Sequence, residues 1–337
     1  MTLHRVSQKI AHGGRINAAQ LLFPNAPLPW IDLSTGVNPY GYPIPEIAPQ
    51  VWSRLPDDRA FSAIEDAARM RYNAPLQASV VAGAGVQSFI QILPRVFPRQ
   101  RVAILGFTYA EYALTWGASG STVEIVDTIE QLDKDFDVGI IVNPNNPDGR
   151  LVEKDQIVDL AQRFTKKNQL LIIDESFVDF YPQFSAVNLS ILDSVIILRS
   201  FGKTYGLPGL RLGFALCSPQ NESLLRQALG PWSVSGPALA IGLRALSDPD
   251  WVNRAAIKCR HDADCLDDLL KNAGFIAIGG TILYRLVQHE EAQRIFEKLC
   301  SHGILVRYFP EKQDWLRFGL PDDSKAWARL TKALEAA

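Results

Sequence analysis

Short runs of β-branched and aliphatic residues alternate with amphipathic segments through the middle of the chain. Each run is typical of a buried strand. The runs cover residues 80–85, 101–106, 122–127, 140–142, 170–173 and 195–198. Segments with a helical apolar period lie between them, and in residues 153–168, for example, Ile157 and Phe164 fall on one face. Because strands that alternate with helices build a mostly parallel sheet between helical layers, the pattern predicts an α/β fold.

Two changes of pattern divide the chain into three parts. A Gly- and Pro-containing segment, residues 230–237, interrupts the helical pattern that precedes it, and such residues are typical of a boundary between elements. The first 45 residues are irregular and rich in Pro and Gly. We therefore expect an N-terminal arm (1–45), a large domain (46–235) and a small α+β domain (236–337).

Composition and charge narrow the class of protein. The chain has 337 residues, of which 47% are hydrophobic and 21% charged, and its formal net charge is −2. These values are ordinary for a globular protein and give no basic footprint for a nucleic acid. The four cysteines lack the spacing of metal or redox sites, and we see no apolar run long enough for a signal or membrane-spanning segment. We expect a cytoplasmic protein with no metal, no nucleic-acid partner and no membrane partner.

One lysine stands within a glycine-rich segment that follows the last of these runs. Residues 200–213 read Ser-Phe-Gly-Lys-Thr-Tyr-Gly-Leu-Pro-Gly-Leu-Arg-Leu-Gly. A lysine such as Lys203, enclosed by glycine and apolar neighbours, loses hydration, which disfavours its ammonium form and exposes a nucleophilic amine. That amine is what a Schiff-base lysine needs. The segment alone is equally consistent with a surface lysine beside a glycine-rich turn.

Two further polar groups end apolar runs upstream of the lysine. The run at 170–173 ends in Asp174, and the run at 140–142 ends in the turn Asn-Pro-Asn-Asn-Pro-Asp-Gly over residues 143–149. Open α/β sheets bind ligands at the carboxyl ends of their strands. The order of the three segments therefore predicts an amide, a carboxylate and an amine at one edge of a sheet.

Three motifs in order carry a resemblance to a known family. They are Asn-Pro-x-Asn-Pro-x-Gly, Asp-Glu-x-Phe and Ser-x-x-Lys followed by Arg211, and the set resembles the fold-type-I pyridoxal-phosphate enzymes, the aspartate aminotransferase superfamily. The resemblance implies a mostly parallel, seven-stranded type of sheet between helices, a smaller α+β C-terminal domain, pyridoxal 5'-phosphate as cofactor and a homodimer. Within the superfamily, the pattern resembles the histidinol-phosphate aminotransferases and the threonine-phosphate decarboxylases of cobalamin synthesis.

The resemblance assigns four residues to the cofactor's ring. Lys203 would bond covalently to the cofactor aldehyde. Asp174 would stay ionised beside the pyridine nitrogen and keep it protonated, which makes the ring an electron sink. Asn146 would donate to the phenolic oxygen. Tyr109 would stack on the ring, although an aromatic residue after a strand is also typical of a core.

The cofactor's phosphate has a predicted site of its own. Residues 80–85 form a strand that ends in glycines, and a helix starts directly afterwards. Unpaired N–H groups and the helix dipole make such a start an anion site, although a plain β–α turn has the same sequence pattern. The resemblance assigns the phosphate to the backbone N–H groups of Val86 and Gln87. It adds Ser200 and Arg211, since the rigid fork of an arginine suits a phosphate.

The substrate site is predicted from the N-terminal arm and the small domain. Paired glycines beside His12 offer backbone N–H groups that can cradle an anion, although a flexible arm has the same composition. Arg307 and Arg317 lie among apolar strand residues, which indicates buried, paired guanidinium groups or an internal salt bridge. By resemblance, Arg317 binds the substrate's α-carboxylate, and the arm and Arg307 meet its phosphate. The set implied for the substrate is His12, Gly13, Gly14, Gly36, Asn38, Asn146, Arg307 and Arg317.

Two positions depart from the family pattern. Phe177 stands where many relatives have a tyrosine that hydrogen-bonds the phenolic oxygen, so the pKa and tautomer of the lysine–cofactor linkage should differ from theirs. Leu55 stands where relatives have a tyrosine that reaches the neighbouring subunit's cofactor phosphate. That contact is lost or made by another residue, while a homodimer is still expected.

The resemblance implies a reaction as well as a cofactor. The similarity of the arm to the threonine-phosphate decarboxylases favours decarboxylation of L-threonine O-3-phosphate to (R)-1-amino-2-propanol O-2-phosphate in cobalamin biosynthesis, the reaction of a carbon–carbon lyase. Which bond at Cα breaks depends on the pose of the substrate. Two alternatives are an aminotransferase acting on histidinol phosphate or a related amino acid, and a non-catalytic binding or regulatory module on the same scaffold.

Overall fold

The structure, a computed structural model, describes residues 12–335, so the first residues of the predicted arm lie outside the described part. The chain divides into two compact units. The small unit contains the described residues up to Tyr40, residues 147–149 and the described residues from Arg254 onward. The large unit contains residues 41–146 and 150–253.

A seven-stranded sheet forms the centre of the large unit. From one edge to the other, with strands numbered along the chain, it contains β2 (Ser79–Gly83), β8 (Gly213–Cys217), β7 (Val195–Ser200), β6 (Leu170–Asp174), β5 (Val138–Val142), β3 (Arg101–Leu105) and β4 (Thr122–Val126). All pairs from β7 to β4 are parallel, and β8 is antiparallel to both β7 and β2. Six of the seven strands therefore point the same way, which confirms the predicted mostly parallel α/β fold.

Helices pack against this sheet through apolar faces. Phe89 and Leu93, one turn apart on the helix after β2, lie in the same core cluster as the strand residues Val102 and Ile172. Burial of each such side chain stabilises the fold by about 1.5–3 kcal/mol. The helices of the large unit are α2 (Pro49–Ser53), α3 (Asp58–Arg71), α4 (Val86–Val96), α5 (Glu111–Ala118), α6 (Lys154–Lys166), α7 (Phe201–Thr204), α8 (Pro219–Leu229) and α9 (Gly236–Leu246).

The small unit contains two sheets and is the α+β domain that was predicted. A parallel pair joins β1 (Ile31–Asp32) to β11 (Ile304–Leu305). An antiparallel sheet has the order β12 (Arg307–Phe309), β13 (Lys312–Gly319), β10 (Tyr284–Gln288) and β9 (Ile276–Thr281). Its helices are α1 (Ile16–Leu22), most of α10 (Pro249–Asn272), α11 (Ala292–Ser301) and α12 (Ser324–Glu335). Within residues 12–335, no helix has both the length and the apolar character that crossing a membrane requires.

The division between the units falls within α10, whereas the sequence pattern placed the boundary after residue 235. Helix α9 belongs to the large unit because it packs there without space for side chains at two positions. A Cβ at Gly236 would come within 2.5 Å of the Val51 carbonyl oxygen, and a Cβ at Gly242 would come within 2.4 Å of the Leu212 side chain. The Gly-Pro segment before α9 therefore breaks a helix without ending the unit.

Candidate active site

Strand ends gather polar groups at one edge of the large unit's sheet. β6 ends at Asp174, β7 ends at Ser200, and β5 leads into a loop that begins at Asn143. The Asn143 backbone N–H donates to the Asp174 carbonyl oxygen at 2.8 Å. On β8, Gly213 is in register with both Ser200 and Gly83, the last residue of β2. The structure thus brings the segments that carry the three motifs to one sheet edge.

Asp174 is a buried carboxylate that accepts hydrogen bonds on both of its oxygens. It is 4% exposed, the Tyr112 hydroxyl donates to its Oδ2 at 2.8 Å, and the Ser176 backbone N–H donates to its Oδ1 at 2.9 Å. Burial raises the pKa of Asp174 above its ordinary value, while hydrogen bonds from the Ser176 side chain, from Tyr112 and from the Ser176 backbone, together with the charge of Lys203, act in the opposite direction. A cation placed against this carboxylate would therefore be favoured.

Lys203 is half-buried in α7, the single turn that follows β7. Its ammonium nitrogen lies 5.5 Å from the centre of the Phe177 ring. Its charge lowers the pKa of Asp174, so the amine and the carboxylate are close enough to interact. The amine therefore lies over a buried aromatic ring at the position where the family pattern has a tyrosine.

Two glycines shape an anion cradle at the start of α4. Gly85 has φ +79°, a conformation that L side chains rarely adopt, and a Cβ on Gly213 would come within 2.6 Å of the Val86 nitrogen. The Arg211 guanidinium packs against Gly85, since a Cβ there would come within 2.7 Å of Nη2. Backbone N–H groups of a helix start and a guanidinium thus lie side by side, which is a donor set that suits a phosphate.

Tyr109 is tied to the same helix start. Its hydroxyl donates to Gln87 Oε1 at 3.1 Å, and Gln87 Nε2 donates to Glu111 Oε2 at 3.0 Å. The Tyr109 ring is partly buried against the main core cluster of the large unit. The Gln87 side chain therefore orients an aromatic ring beside the cradle.

Asn146 lies half-buried in the loop after β5, and two neighbouring asparagines brace that loop. The Asn143 side chain pairs with the backbone N–H and carbonyl of Val152 at 2.9 and 3.2 Å. Asn145 Nδ2 donates to the Phe107 carbonyl oxygen at 3.0 Å. The motif contributes a candidate ligand at one asparagine and structural hydrogen bonds at the other two.

In the small unit, the first described residues dock on the segment after β1. The Gly14 N–H donates to Ser34 Oγ at 2.8 Å, and Ser34 Oγ donates to Asp32 Oδ1 at 2.5 Å. Gly13 leaves no space for a side chain, because a Cβ there would come within 2.5 Å of the Ser34 carbonyl oxygen. His12 is exposed beside them. The His-Gly-Gly segment is thus held against the small unit through its glycines.

Arg307 and Arg317 lie opposite each other on β12 and β13. Arg317 is 7% exposed, its Nη2 donates to the Ser34 carbonyl oxygen at 2.8 Å, and its guanidinium lies 4.9 Å from the centre of the Tyr284 ring. Burial lowers the pKa of Arg317 to about 10, with Tyr284 and Asp32 acting to raise it and Arg307 to lower it. Because two neighbouring guanidinium groups repel each other, an anion beside them would be favoured.

Gly36 and Asn38 follow in the same segment, and both are buried. Asn38 Oδ1 accepts hydrogen bonds from the Tyr40 backbone N–H at 2.9 Å and from Cys259 Sγ at 3.3 Å. These contacts hold the segment to α10 within the small unit. The assignment of Gly36 and Asn38 to a substrate stays a prediction.

Sequence reasoning missed a buried charge network next to the site, and it also missed Tyr112. Arg199 pairs with Glu175 at 2.9 Å and also with Asp179. Burial raises the pKa of Glu175, and the charge of Arg199 is the largest influence against that rise. The ion pair could have been predicted from two charged residues that follow apolar runs, since Glu175 follows the run at 170–173 and Arg199 follows the run at 195–198. Nothing in the sequence distinguishes Tyr112 from a core aromatic residue.

Known sequences match nearly the whole chain. Residues 30–334 match the family described as aminotransferase class I and II. The chain belongs to this family. A threonine-phosphate decarboxylase from Sinorhizobium sp. is 41% identical over 335 residues, which cover 98% of each chain. A protein of the same name from Pseudomonas aeruginosa is 37% identical over 328 residues, which cover 96% of this chain and 97% of that one.

Solved structures with the same fold include members of the aminotransferase family. The histidinol-phosphate aminotransferase from Sinorhizobium meliloti, solved in complex with pyridoxal 5'-phosphate, superimposes with a TM-score of 0.81 at 18% identity. The superposition covers 95% of this chain and 94% of that chain. The family resemblance predicted from three motifs is confirmed by the family match over residues 30–334, and the superposition confirms the fold.

Members of the class I and II aminotransferase family use pyridoxal phosphate, and the large unit suits this cofactor. The buried Asp174, which lacks hydration, fits a cationic ring nitrogen. The start of α4, with Gly85 and Arg211, fits a phosphate. Lys203 supplies an amine within electrostatic reach of the carboxylate. The chemistry of these donors agrees with pyridoxal phosphate as the cofactor of this chain.

Proposed function

We propose that this chain decarboxylates L-threonine O-3-phosphate to (R)-1-amino-2-propanol O-2-phosphate, a reaction of cobalamin biosynthesis. The observation that carries the proposal is the near-full-length similarity to two proteins named threonine-phosphate decarboxylase. The neighbouring Arg307 and Arg317 support it, because a phosphorylated amino acid brings two anionic groups to be bound.

Asp174 and Lys203 perform the central chemical roles of the large unit. When bound, pyridoxal phosphate supplies an aldehyde for the substrate's amine and a ring that withdraws the electrons left at Cα when a bond there breaks. Asp174, as a buried carboxylate, would keep a proton on the ring nitrogen. Lys203 would hold the cofactor through its Nζ. Once the substrate's ammonium group has replaced it and passed on a proton, the lysine ammonium would be the group placed to protonate Cα.

The other cofactor residues hold the ring and its phosphate in place. The Tyr109 ring, oriented by its hydrogen bond to Gln87, stacks on the cofactor, and Asn146 donates to the phenolic oxygen. The phosphate is bound by the backbone N–H groups of Val86 and Gln87, by Ser200 and by Arg211. Each of these groups lies on the large unit.

Substrate orientation decides between decarboxylation and transamination. With the cofactor bound, the bond at Cα that breaks would be set by how this chain's residues hold the substrate. Arg317 binds the α-carboxylate through its guanidinium fork. Arg307 would hold the phosphate and thereby set the orientation of the carboxylate. The N-terminal segment would also hold the substrate's phosphate, through His12, Gly13, Gly14, Gly36 and Asn38.

A cytoplasmic homodimer is the state in which we propose that the enzyme works. Large apolar side chains on the large unit are unusually exposed, with Trp52 and Leu55 each 67% and Trp232 56% accessible. Exposed apolar residues of this size favour coverage by a second protein surface. Leu55 stands where relatives reach the neighbouring subunit's cofactor, which makes a second copy of the chain the natural occupant.

The rival function is transamination of histidinol phosphate or a related amino acid, since the solved relative named above is a histidinol-phosphate aminotransferase. Both functions use the same cofactor residues and differ in whether a 2-oxo acid is consumed. Purified protein incubated with pyridoxal phosphate and threonine phosphate should release carbon dioxide and 1-amino-2-propanol phosphate without any 2-oxo acid. Product that forms only when a 2-oxo acid is added would favour the rival.

A further inference from the structure

Tyr112 is a completely buried tyrosine in apolar surroundings. It is 0% exposed and belongs to the main core cluster of the large unit, together with Phe89, Trp116 and Ile172. Its hydroxyl donates to Asp174 Oδ2 at 2.8 Å. A phenylalanine would fill nearly the same volume, and a buried hydroxyl is unfavourable unless it is hydrogen-bonded. The hydrogen bond to Asp174 is therefore the interaction that offsets the burial of the Tyr112 hydroxyl.

The negative charge of Asp174 depends on neighbouring hydrogen-bond donors and on one nearby cation. The Ser176 backbone N–H donates to Oδ1, and Lys203 contributes its charge from α7. Burial acts against the ionised carboxylate. Hydrogen bonds from the Ser176 side chain and from Tyr112 also favour the ionised form, and the Tyr112 hydroxyl donates to Oδ2 at 2.8 Å.

We infer that Tyr112 is a positioning residue: it decides whether Asp174 or the cofactor's ring nitrogen carries the proton that they share. This inference rests on the proposed placement of Asp174 at the ring nitrogen. Two arrangements contain the same number of protons. In the first, an ionised Asp174 faces a protonated ring nitrogen, and in the second, a protonated Asp174 faces a neutral ring nitrogen. A donor on Oδ2 favours the first arrangement, because hydrogen bonds to a carboxylate are stronger than those to a neutral carboxyl group. Tyr112 thereby keeps the proton on the ring.

The test is nitrogen-15 NMR of the full chain loaded with pyridoxal phosphate that is labelled at the ring nitrogen. The resonance separates protonated from unprotonated pyridine. In Tyr112→Phe, we expect the ratio of protonated to unprotonated nitrogen to fall about tenfold, which corresponds to the loss of one hydrogen bond to a charged group. With 3,5-difluorotyrosine at position 112, a stronger donor of nearly the same shape, the ratio should rise.

Tyr72→Phe is the matched control. Tyr72 is also buried in the large unit, and its hydroxyl makes no hydrogen bond within residues 12–335. We expect its removal to leave the nitrogen resonance unchanged. Equal changes in Tyr72→Phe and Tyr112→Phe would overturn the inference, because they would indicate a general loosening of the core.

The inference and the proposed function fail in different ways. Asp174→Asn should move the resonance if Asp174 faces the ring nitrogen, and an unmoved resonance would refute that placement. If Asp174→Asn moves the resonance but neither Tyr112 variant does, the role of Tyr112 alone is wrong. Should Tyr112→Phe not fold, as judged by circular dichroism, the fluorotyrosine protein decides the question by a ratio that rises or stays the same.

Discussion

At the residue scale, the site depends on buried charged groups, and burying them lowers the stability of the folded chain. Asp174 and Arg317 each have a pKa moved toward the neutral form, and burial is the largest cause in both. Such buried charged groups do not stabilise the folded chain unless a ligand of opposite charge binds beside them. These two side chains therefore mark the cofactor and substrate positions more clearly than surface charges would.

Replacement of Asp174 by asparagine should stabilise the cofactor-free protein at neutral pH. The pKa of Asp174 in the folded chain is raised above the ordinary 3.8, so the folded chain binds this proton more tightly than the unfolded chain does. Stability is therefore lost as the pH rises from the ordinary value through the folded-state pKa. Scanning calorimetry without cofactor should show a higher Tm for Asp174→Asn at pH 7, with the difference vanishing below about pH 4. A lower Tm for the variant at pH 7 would contradict this account of the carboxylate.

Arg317→Lys should raise the KM for threonine phosphate about tenfold or more, while the protein stays folded. A lysine keeps the positive charge but cannot bind a carboxylate through two parallel N–H groups. Arg294→Lys is the control, because Arg294 lies on α11 of the same unit with its side chain 56% exposed and paired to Glu291. Steady-state kinetics of both variants decide the point. An unchanged KM in Arg317→Lys would remove this arginine from the substrate site.

At the element scale, strand ends and one helix start supply the cofactor site. The parallel strands β5, β6 and β7 end at a common edge, and α4 begins three residues after β2, directly after Gly85, whose φ of +79° is rarely adopted by residues with a side chain. The precision of the phosphate cradle then depends on backbone conformation, with Arg211 packed against Gly85.

Gly85→Ala should weaken cofactor binding beyond its effect on stability. The backbone at Gly85 has φ +79° and ψ 165°, a region that other residues enter at a loss of about 1–3 kcal/mol, and the added Cβ would displace the Arg211 guanidinium. Gly120→Ala provides the comparison, since Gly120 has φ +91° with nothing within 4 Å of its Cβ position. Chemical denaturation should show a loss of stability in both variants, whereas titration with pyridoxal phosphate should show weaker binding in Gly85→Ala alone. Equal affinities in the two variants would argue against the cradle.

At the scale of the whole molecule, the exposed apolar residues of the large unit predict a dimer. Joint replacement of Trp52 and Leu55 by aspartate should convert a dimer into a monomer of 37.4 kDa, because charges cannot be buried unpaired at an apolar interface. Leu76→Asp is the control at another exposed apolar residue, which is 87% accessible. Light scattering at matched concentrations measures the mass. A dimer that survives the double replacement would show that the interface lies elsewhere.

Six of the seven strands of the large sheet were predictable because each lies in a local apolar run, and each motif lies where such a run ends. The number seven came from the family resemblance, since β8 was not among those runs. Contacts that depend on strand register and on long-range packing could not be predicted from the sequence. Arg307 faces Arg317 only because β12 and β13 pair in one register, and Tyr112 meets Asp174 across 62 residues of sequence. The boundary was misplaced for the same reason, since the packing of α9 on the large unit leaves no trace in its own helical pattern.

The central claim is that Lys203 is the amine that carries the cofactor. Borohydride reduction of the loaded protein would make that bond permanent, and mass spectrometry of the digested chain would locate it. The account predicts a pyridoxyl group on the peptide that contains Lys203 and its absence from Lys203→Ala protein. A pyridoxyl group on another lysine, or none in folded and loaded protein, would contradict the account.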